Sequence, residues 1–464
     1  MLSKIRHFMT SPFFLPIPLV IGLIGLLGGD ILAIISMLTN VFLLTLVLFL
    51  SDDLLPALLP AFCIITVGVT LLERLTVVIP YIPFAFPVAI AFVFHKIRYC
   101  GRPRLGLSFW GLVITSVAIW ISGIGTPLAS RDYSSLAAIY HLIGLSVGLL
   151  ALYLLFAMKP HKKRNYDPIH YFMACLSALG LLCFAIIFDK FLEWLIPLLT
   201  EALRGTSQKI NWSLTPYLSS ISYRNTISTL AVMCLPSSFY LAKQSRHIWS
   251  HILCFLMGIV VYIGAALTMA RTVLLFGTLL LAICVVYYLW GKEHRLAKGI
   301  NMAVISVCLI VALLLFWKPI ASFLDFRLAQ GWLSAGEARV DLLIRSFEDF
   351  RAHPWFGIGI TSIANSDVYS ATGCIGWYHL YFPQIWGSMG VFGMIAYTVQ
   401  FVLRAKLVFF RPDRRSLAMG LVYLGLFLYS QTDPGEFAPI PYAVLTVPLF
   451  LLLEERKREI SDEL

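Results

Sequence analysis

The chain has 464 residues, of which 59% are hydrophobic and only 13% charged, and it carries a formal net charge of +11. A soluble domain has nearer ~25% charged residues, so this chain cannot cover itself with polar surface and must use lipid as its main solvent. The positive charge does not indicate nucleic acid as a partner, because the basic residues fall in short loops between apolar runs, where they set orientation in a membrane.

Apolar stretches long enough to cross a bilayer occur at about fourteen places: 12–29, 31–50, 54–72, 76–95, 106–126, 134–158, 168–189, 226–242, 247–270, 272–290, 299–321, 380–402, 416–432 and 436–453. Lys4 and Arg6 ahead of the first run resemble a signal-peptide start. No small-residue cleavage site follows before Ile31, so the run reads as a retained span. The expected fold class is therefore all-α: a polytopic integral membrane protein in a single transmembrane domain over residues 1–464.

Basic clusters recur at every second loop. Lys96, Arg98, Arg102 and Arg104 form one, and Lys159, Lys162, Lys163 and Arg164 a second. Lys292, Arg295 and Lys298 form a third, and Arg404, Lys406, Arg411, Arg414 and Arg415 a fourth. Roughly two thirds of the 35 Lys and Arg fall on one side if the N-terminus is cytoplasmic, which predicts both termini inside. Of the nine cysteines, Cys374, with Cys100 at a membrane edge, lies outside the apolar runs. No CxxC pair or Cys/His cluster has metal spacing, so neither a disulfide framework nor a metal site is expected.

Two long segments then face outward, one from about Lys190 to Asn225 and a larger one over 322–379. The larger contains EARVDLLIRSFEDFRAHPWFGIG, which reads as an amphipathic helix. Val340, Leu343, Ile344, Phe347 and Phe350 make its apolar stripe, while Asp341, Arg345 and Asp349 sit at i,i+4 spacing. Pro354 stops the helix and Gly357 and Gly359 make the following turn. Such a helix suits the membrane surface.

The chemistry-bearing residues on this side are cations. Arg271 stands at the join of two apolar segments, where charge is expensive and is functional, paired or snorkelling to headgroups. Arg224, beside Tyr223 at the start of the eighth span, reads either as an interface anchor or as a ligand for an anion. His379 stands where the long segment re-enters the membrane; it is either a packed interfacial residue or a general base acting on a hydroxyl. Gln384 follows it by about 500° of helical rotation, which would point it away by roughly 140° in a regular helix. Gly390 and Gly393, on the same span, suit close helix packing. Converging arginines suit a phosphate or diphosphate, because the guanidinium fork pairs with its oxygens. Fixed cations beside a basic histidine would suit displacement of a lipid diphosphate by a sugar hydroxyl, with no metal or other cofactor.

At three places the chain resembles the O-antigen ligase and O-antigen polymerase superfamily of bacterial membrane glycosyltransferases. The helix-end arginine in LTMARTVLLF is similar to the family's Ser-Arg element, although Ala270 stands where serine is usual. Arg339, Pro354, Gly357 and Gly359 match its arginine, amphipathic helix and Pro-x-x-Gly-x-Gly run. His379, Gln384, Gly390 and Gly393 are spaced like its His-Asn motif and the glycines that follow, although Leu380 replaces the asparagine. The likeness covers roughly 249–401. It implies a GT-C-like, metal-independent enzyme of the bacterial cytoplasmic membrane that takes a glycan from undecaprenyl diphosphate to an acceptor glycan or lipid. By that match His379 and Arg271 are catalytic, and Arg224, Arg271 and Arg339 bind the diphosphate. The polymerase and ligase roles both stay open.

Two other classes compete. A transporter or flippase for polysaccharide would need midplane ionisable groups and repeat symmetry. His141, His170 and His251 lie in or near spans, but no paired carboxylates or repeated halves accompany them. A shape-and-division type peptidoglycan polymerase would rely on an outer aspartate, for which Asp325, Asp341, Asp349 and Asp367 are available.

Overall fold

The computed structural model describes all residues except 1, 10, 12, 72–75, 125–141, 161–163, 165, 204–216, 218, 219, 222, 292, 325–330, 361–377, 434, 463 and 464. Cys374 and the aspartates 325 and 367 therefore lie outside the described residues. The helices, in chain order, are α1 (Leu2–Met9), α2 (Pro16–Leu27), α3 (Asp30–Leu50), α4 (Leu55–Thr70), α5 (Phe86–Tyr99), α6 (Leu107–Ser122) and α7 (Leu149–Phe156). They continue as α8 (Pro168–Leu203), α9 (Arg224–Gln244), α10 (Ile248–Leu267), α11 (Thr278–Leu289), α12 (Arg295–Leu324), α13 (Gly331–Ala352), α14 (Tyr381–Phe409), α15 (Arg414–Ser430) and α16 (Val444–Asp462). Two short strands, β1 (Cys100–Pro103) and β2 (Met158–Pro160), pair antiparallel in loops.

Each apolar run read from the sequence overlaps a helical segment. Five helices among the described residues are long and apolar enough to cross a membrane alone: Asp30–Leu50, Thr76–Tyr99, Pro168–Pro197, Ile248–Leu267 and Tyr381–Phe409. Five shorter apolar helices accompany them. Helix α9 is of another kind. It is buried continuously from Ile227 to Lys243, packed among α8, α10, α11 and α15. A helix shielded by protein need not be apolar, which is why it tolerates Ser228, Thr229, Ser237 and Ser238 on its buried surface. One of these contacts is the 2.6 Å hydrogen bond between the Ser177 and Ser238 hydroxyls.

Several loops meet at one end of the bundle through ion pairs. There Arg164 bridges Asp53 at 2.7 Å and Glu455 at 2.8 Å. Arg415 meets Asp167 at 2.9 Å, Arg414 meets Glu293 at 2.7 Å and Arg456 meets Asp413 at 3.1 Å. Arg458 donates to the Leu105 carbonyl and Arg6 to the Tyr99 hydroxyl, so the segments near both termini lie at this basic end.

Two segments depart from the sequence expectation. Helix α8 runs on to Leu203, well past the expected boundary at 189; at ~1.5 Å per residue it is about 54 Å long, against a hydrocarbon core of ~30 Å. The span at 380–402 is not one regular helix. Gly390 has φ 60° and ψ −154°, and the chain bends there. The rings of Tyr381 and Tyr397 both touch Phe437, at 5.6 and 5.1 Å between centroids. A straight helix would hold those two residues about 24 Å apart.

The turn after α13 fills the break. Ile358 N donates to Gly387 O (3.1 Å), Gly359 N to Ser388 O (2.9 Å) and Val391 N to Pro354 O (2.8 Å). The backbone groups freed by the bend are thus satisfied by the Pro354–Gly359 turn, which lipid could not do. Only glycine fits at the crossing: a Cβ on Gly390 would sit 2.6 Å from Pro354 O, and one on Gly357 2.3 Å from the Ser388 carbonyl carbon. Gly390 was expected to ease helix packing and Gly357 to make the turn; here the two together allow two backbones to meet.

Helix α13 follows the turn onto α14 with its polar side. The Trp386 indole donates to Ser346 at 2.9 Å, and the Tyr378 hydroxyl to Asp349 at 2.7 Å. Arg345 bonds Asp349 at 3.3 Å, as the i,i+4 spacing predicts. Val340 and Ile344 of the expected apolar stripe are about half exposed, while Phe347 stacks on Trp386 of α14 with ring centroids 4.9 Å apart.

The substitution Gly390→Ala should cost about 1–3 kcal/mol through its positive φ alone, with the Pro354 clash adding to that. A lowered unfolding midpoint in detergent is the expected result. Arg164→Ala strands two largely buried carboxylates and should cost roughly 3–5 kcal/mol in the same measurement.

Candidate functional site

Five elements meet at the end of the bundle opposite the ion-paired basic loops. Helix α10 stops at Leu267, where Thr268 accepts a hydrogen bond from Ala270 N at 3.3 Å and Met269 takes a positive φ of 56°. This tight turn makes Arg271 the first residue of the next helical stretch, which runs through the π turn Val273–Gly277 into α11. Arg224 likewise opens α9. Both therefore sit at the positive end of a helix dipole, an unfavourable place for a cation and a favourable one for an anion.

Arg271 is partly buried, and Arg339 of α13 and Arg224 lie close enough to act on it. Partial burial, then the positive charges of Arg339 and Arg224, hold its guanidinium below its ordinary pKa. Three arginines from three elements thus converge. No carboxylate among the described residues forms an ion pair with any of them, whereas Arg164, Arg414, Arg415 and Arg456 at the other end each have one. Mutual repulsion of this kind is relieved by an anion between them.

His379 is set by its neighbours and does not belong to a helix. It has φ 52° and precedes α14, whose first residue is Tyr381. Tyr378 N donates to the Gln384 side-chain oxygen at 3.0 Å, and Gln384 N donates to Leu380 O at 3.0 Å. Gln384 therefore turns back onto the segment that carries His379, where a regular helix would have pointed it away. Tyr378 and Tyr381 are both buried, which pins the backbone on either side of a half-exposed imidazole.

The histidine Nδ1 faces Asp433 Oδ1 at 3.8 Å. Asp433 lies just beyond α15, where Thr432 and Asp433 both donate from their amides to Tyr429 O. Thr432 and Thr272 share a hydrogen bond of 2.9 Å between their hydroxyls. That bond ties the residue after Arg271 to the residue before Asp433, so the arginine turn and the histidine–aspartate pair belong to one assembly. Tyr429 bonds Ser228 at 2.7 Å and Tyr442 bonds the Thr226 carbonyl at 3.1 Å, which brings the Arg224 end of α9 to the same place.

All four residues singled out from the sequence, Arg224, Arg271, Arg339 and His379, are thus brought to this end. Asp433, Thr272 and Thr432 were missed. The one signal for Asp433 was an acidic residue between two apolar runs, and sequence spacing could not couple it to a histidine 54 positions earlier. Among the described residues no group of three His, Cys, Asp or Glu side chains is arranged to hold a metal ion.

Fold and site together define a helical membrane protein with a cationic cluster beside a histidine–aspartate pair. Residues 252–398 match the family model for O-antigen ligase, which supports the O-antigen ligase and polymerase superfamily and a membrane glycosyltransferase-like role in O-antigen synthesis. The match spans just under a third of the chain; it contains Arg271, Arg339 and His379 and stops short of Arg224 and Asp433. Neither a curated protein nor a solved structure matches the chain.

Inorganic diphosphate should raise the thermal midpoint of the purified protein at low ionic strength, and added salt should erase the effect. Arg224→Ala, Arg271→Ala and Arg339→Ala should each weaken diphosphate affinity by roughly tenfold or more, as expected for a charge-assisted contact of about 1.5–3 kcal/mol. Unchanged affinity in all three would remove the anion site.

Proposed function

We propose that the protein is a glycosyltransferase of the outer face of the bacterial cytoplasmic membrane. It would transfer a glycan from undecaprenyl diphosphate to an acceptor hydroxyl in cell-surface polysaccharide synthesis. The observation that carries this reading is the three-arginine cluster without carboxylate partners among the described residues, tied through the Thr272–Thr432 bond to the His379–Asp433 pair. The basic loops at the opposite end support a cytoplasmic position for that end by the positive-inside bias.

In this scheme the acceptor hydroxyl gives its proton to the His379 ring nitrogen that faces away from Asp433. The acceptor oxygen then forms a bond to the anomeric carbon, and the bond from that carbon to the diphosphate oxygen breaks. The leaving diphosphate takes the bonding electrons. Arg224, Arg271 and Arg339 stabilise the charge that develops on it, so the scheme needs no metal. Asp433, facing the other ring nitrogen, would keep the ring aimed. The half-exposed apolar stripe of α13 would rest in the membrane interface and hold Arg339 at headgroup depth.

Reconstituted protein given a polyprenyl-diphosphate oligosaccharide should consume it and release the lipid diphosphate. His379→Ala should slow this about 10²–10⁴-fold. Arg271→Ala should lose roughly 10²–10³-fold, the usual loss for one transition-state charge contact. Asp433→Asn should lower kcat more than it raises KM. Full activity in the His379 and Arg271 variants would refute the assignment. A ladder of repeat lengths in the product means a polymerase, and transfer to a non-repeat acceptor means a ligase.

A further inference from the structure

Away from that site, a cavity of about 450 Å³ lies among α2, α3, α4 and the stretch from Val78 to Val88. Its wall on α3 is a single helical stripe from Ala33 to Val47, about 21 Å long at ~1.5 Å per residue. Small residues on α4, Ala57, Ala61 and Gly68, open the space, while Gly22 and Gly25 let α2 approach Ile64 and Ser36 closely. The cavity is not sealed within the protein. Ile65 and Ile82 in its wall are about half exposed, and the far side of α3 shows Ile31, Ile35 and Phe42 outward. The slot is thus continuous with the surface that meets hydrocarbon.

The wall is unsuited to water. Ser36 donates to Ile21 O and Asn40 Nδ2 donates to Ser36 O at 3.1 Å, so both groups are spent on the wall. Asn40 Oδ1 is left without a partner, and a stable buried water needs about two to four partners. Left empty, the slot would forfeit dispersion contacts along its whole length. Its volume is roughly three times that of a ~150 Å³ apolar cavity known to stay dry and hold benzene. Its length exceeds the ~15 Å depth of one leaflet, half of a ~30 Å core, so one extended chain fits within it.

We infer that this slot is a binding site for one acyl chain of a bilayer phospholipid, which serves as part of the packing of α2, α3 and α4. The inference does not depend on the proposed catalytic function. It concerns a part of the chain with no residue in the arginine–histidine site.

The test uses the full-length protein in nanodiscs containing a phospholipid with a photoactivatable diazirine midway along one acyl chain. After irradiation, peptide mapping should find label on wall residues between Ala33 and Val47 and on α4 near Ala61 as well as on the outward residues of α3. Ala61→Phe, which fills the slot, should give a several-fold loss of wall label while label on Ile31, Ile35 and Phe42 persists. Label confined to the outward residues in the wild-type protein overturns the inference even if Ala61→Phe does not fold. Wall labelling that Ala61→Phe leaves unchanged overturns it equally.

Discussion

The break in α14 at Gly390 is the constraint from which the site follows. A helix opened inside a membrane protein exposes backbone groups that lipid cannot satisfy. The Pro354–Gly359 turn satisfies them through three short backbone hydrogen bonds, and it fits because Gly357 and Gly390 carry no Cβ where the two backbones cross. Docking that turn brings α13 onto α14, where Ser346 and Asp349 meet Trp386 and Tyr378. Arg339 is carried in by α13, and His379 is held just ahead of the bent helix. A single backbone junction therefore sets two of the functional groups.

Charge is handled differently at the two ends of the bundle. At the basic end, arginines meet carboxylates from distant parts of the chain, and Arg164 alone joins the α3–α4 loop to the C-terminal helix. These pairs stitch loops whose cations first serve orientation. At the other end Arg224, Arg271 and Arg339 face one another without carboxylate partners among the described residues. Two of them also begin helices, so backbone dipoles add to the positive field. Under the proposed function an anion would relieve that repulsion, and this would account for three costly cations at a membrane edge. Asp433 at this end faces the histidine and not the arginines.

Packing in the bundle grades from dense to loose. Helix α9 is enclosed on all sides and uses hydroxyls where a lipid-facing helix would use leucine. Among the helices of the first hundred residues, α3 and α5 bury little of their surface within the protein, and an apolar slot lies among α2, α3 and α4. A rigid centre suits a site assembled from five elements, because small shifts in any of them would separate the arginines from the histidine. The outer helices have no such demand on them, and lipid can complete their packing.

The sequence by itself determined the helical membrane class and marked Arg224, Arg271, Arg339 and His379 as candidates. Those properties depend on local composition and on the cost of burying charge in hydrocarbon, which each segment reveals alone. The Arg345–Asp349 pair was legible for the same reason, since helical spacing brings those residues together. The tertiary structure decided which charges become neighbours: Asp433 with His379, Thr432 with Thr272, and Arg164 with Asp53 and Glu455. It also decided that α14 bends at Gly390, and that His379 lies outside the helix, which turned Gln384 from a residue pointing away into one that holds the histidine segment. Bends and long-range pairs depend on how separate segments satisfy each other's backbone and charge, and no pattern within one segment records that.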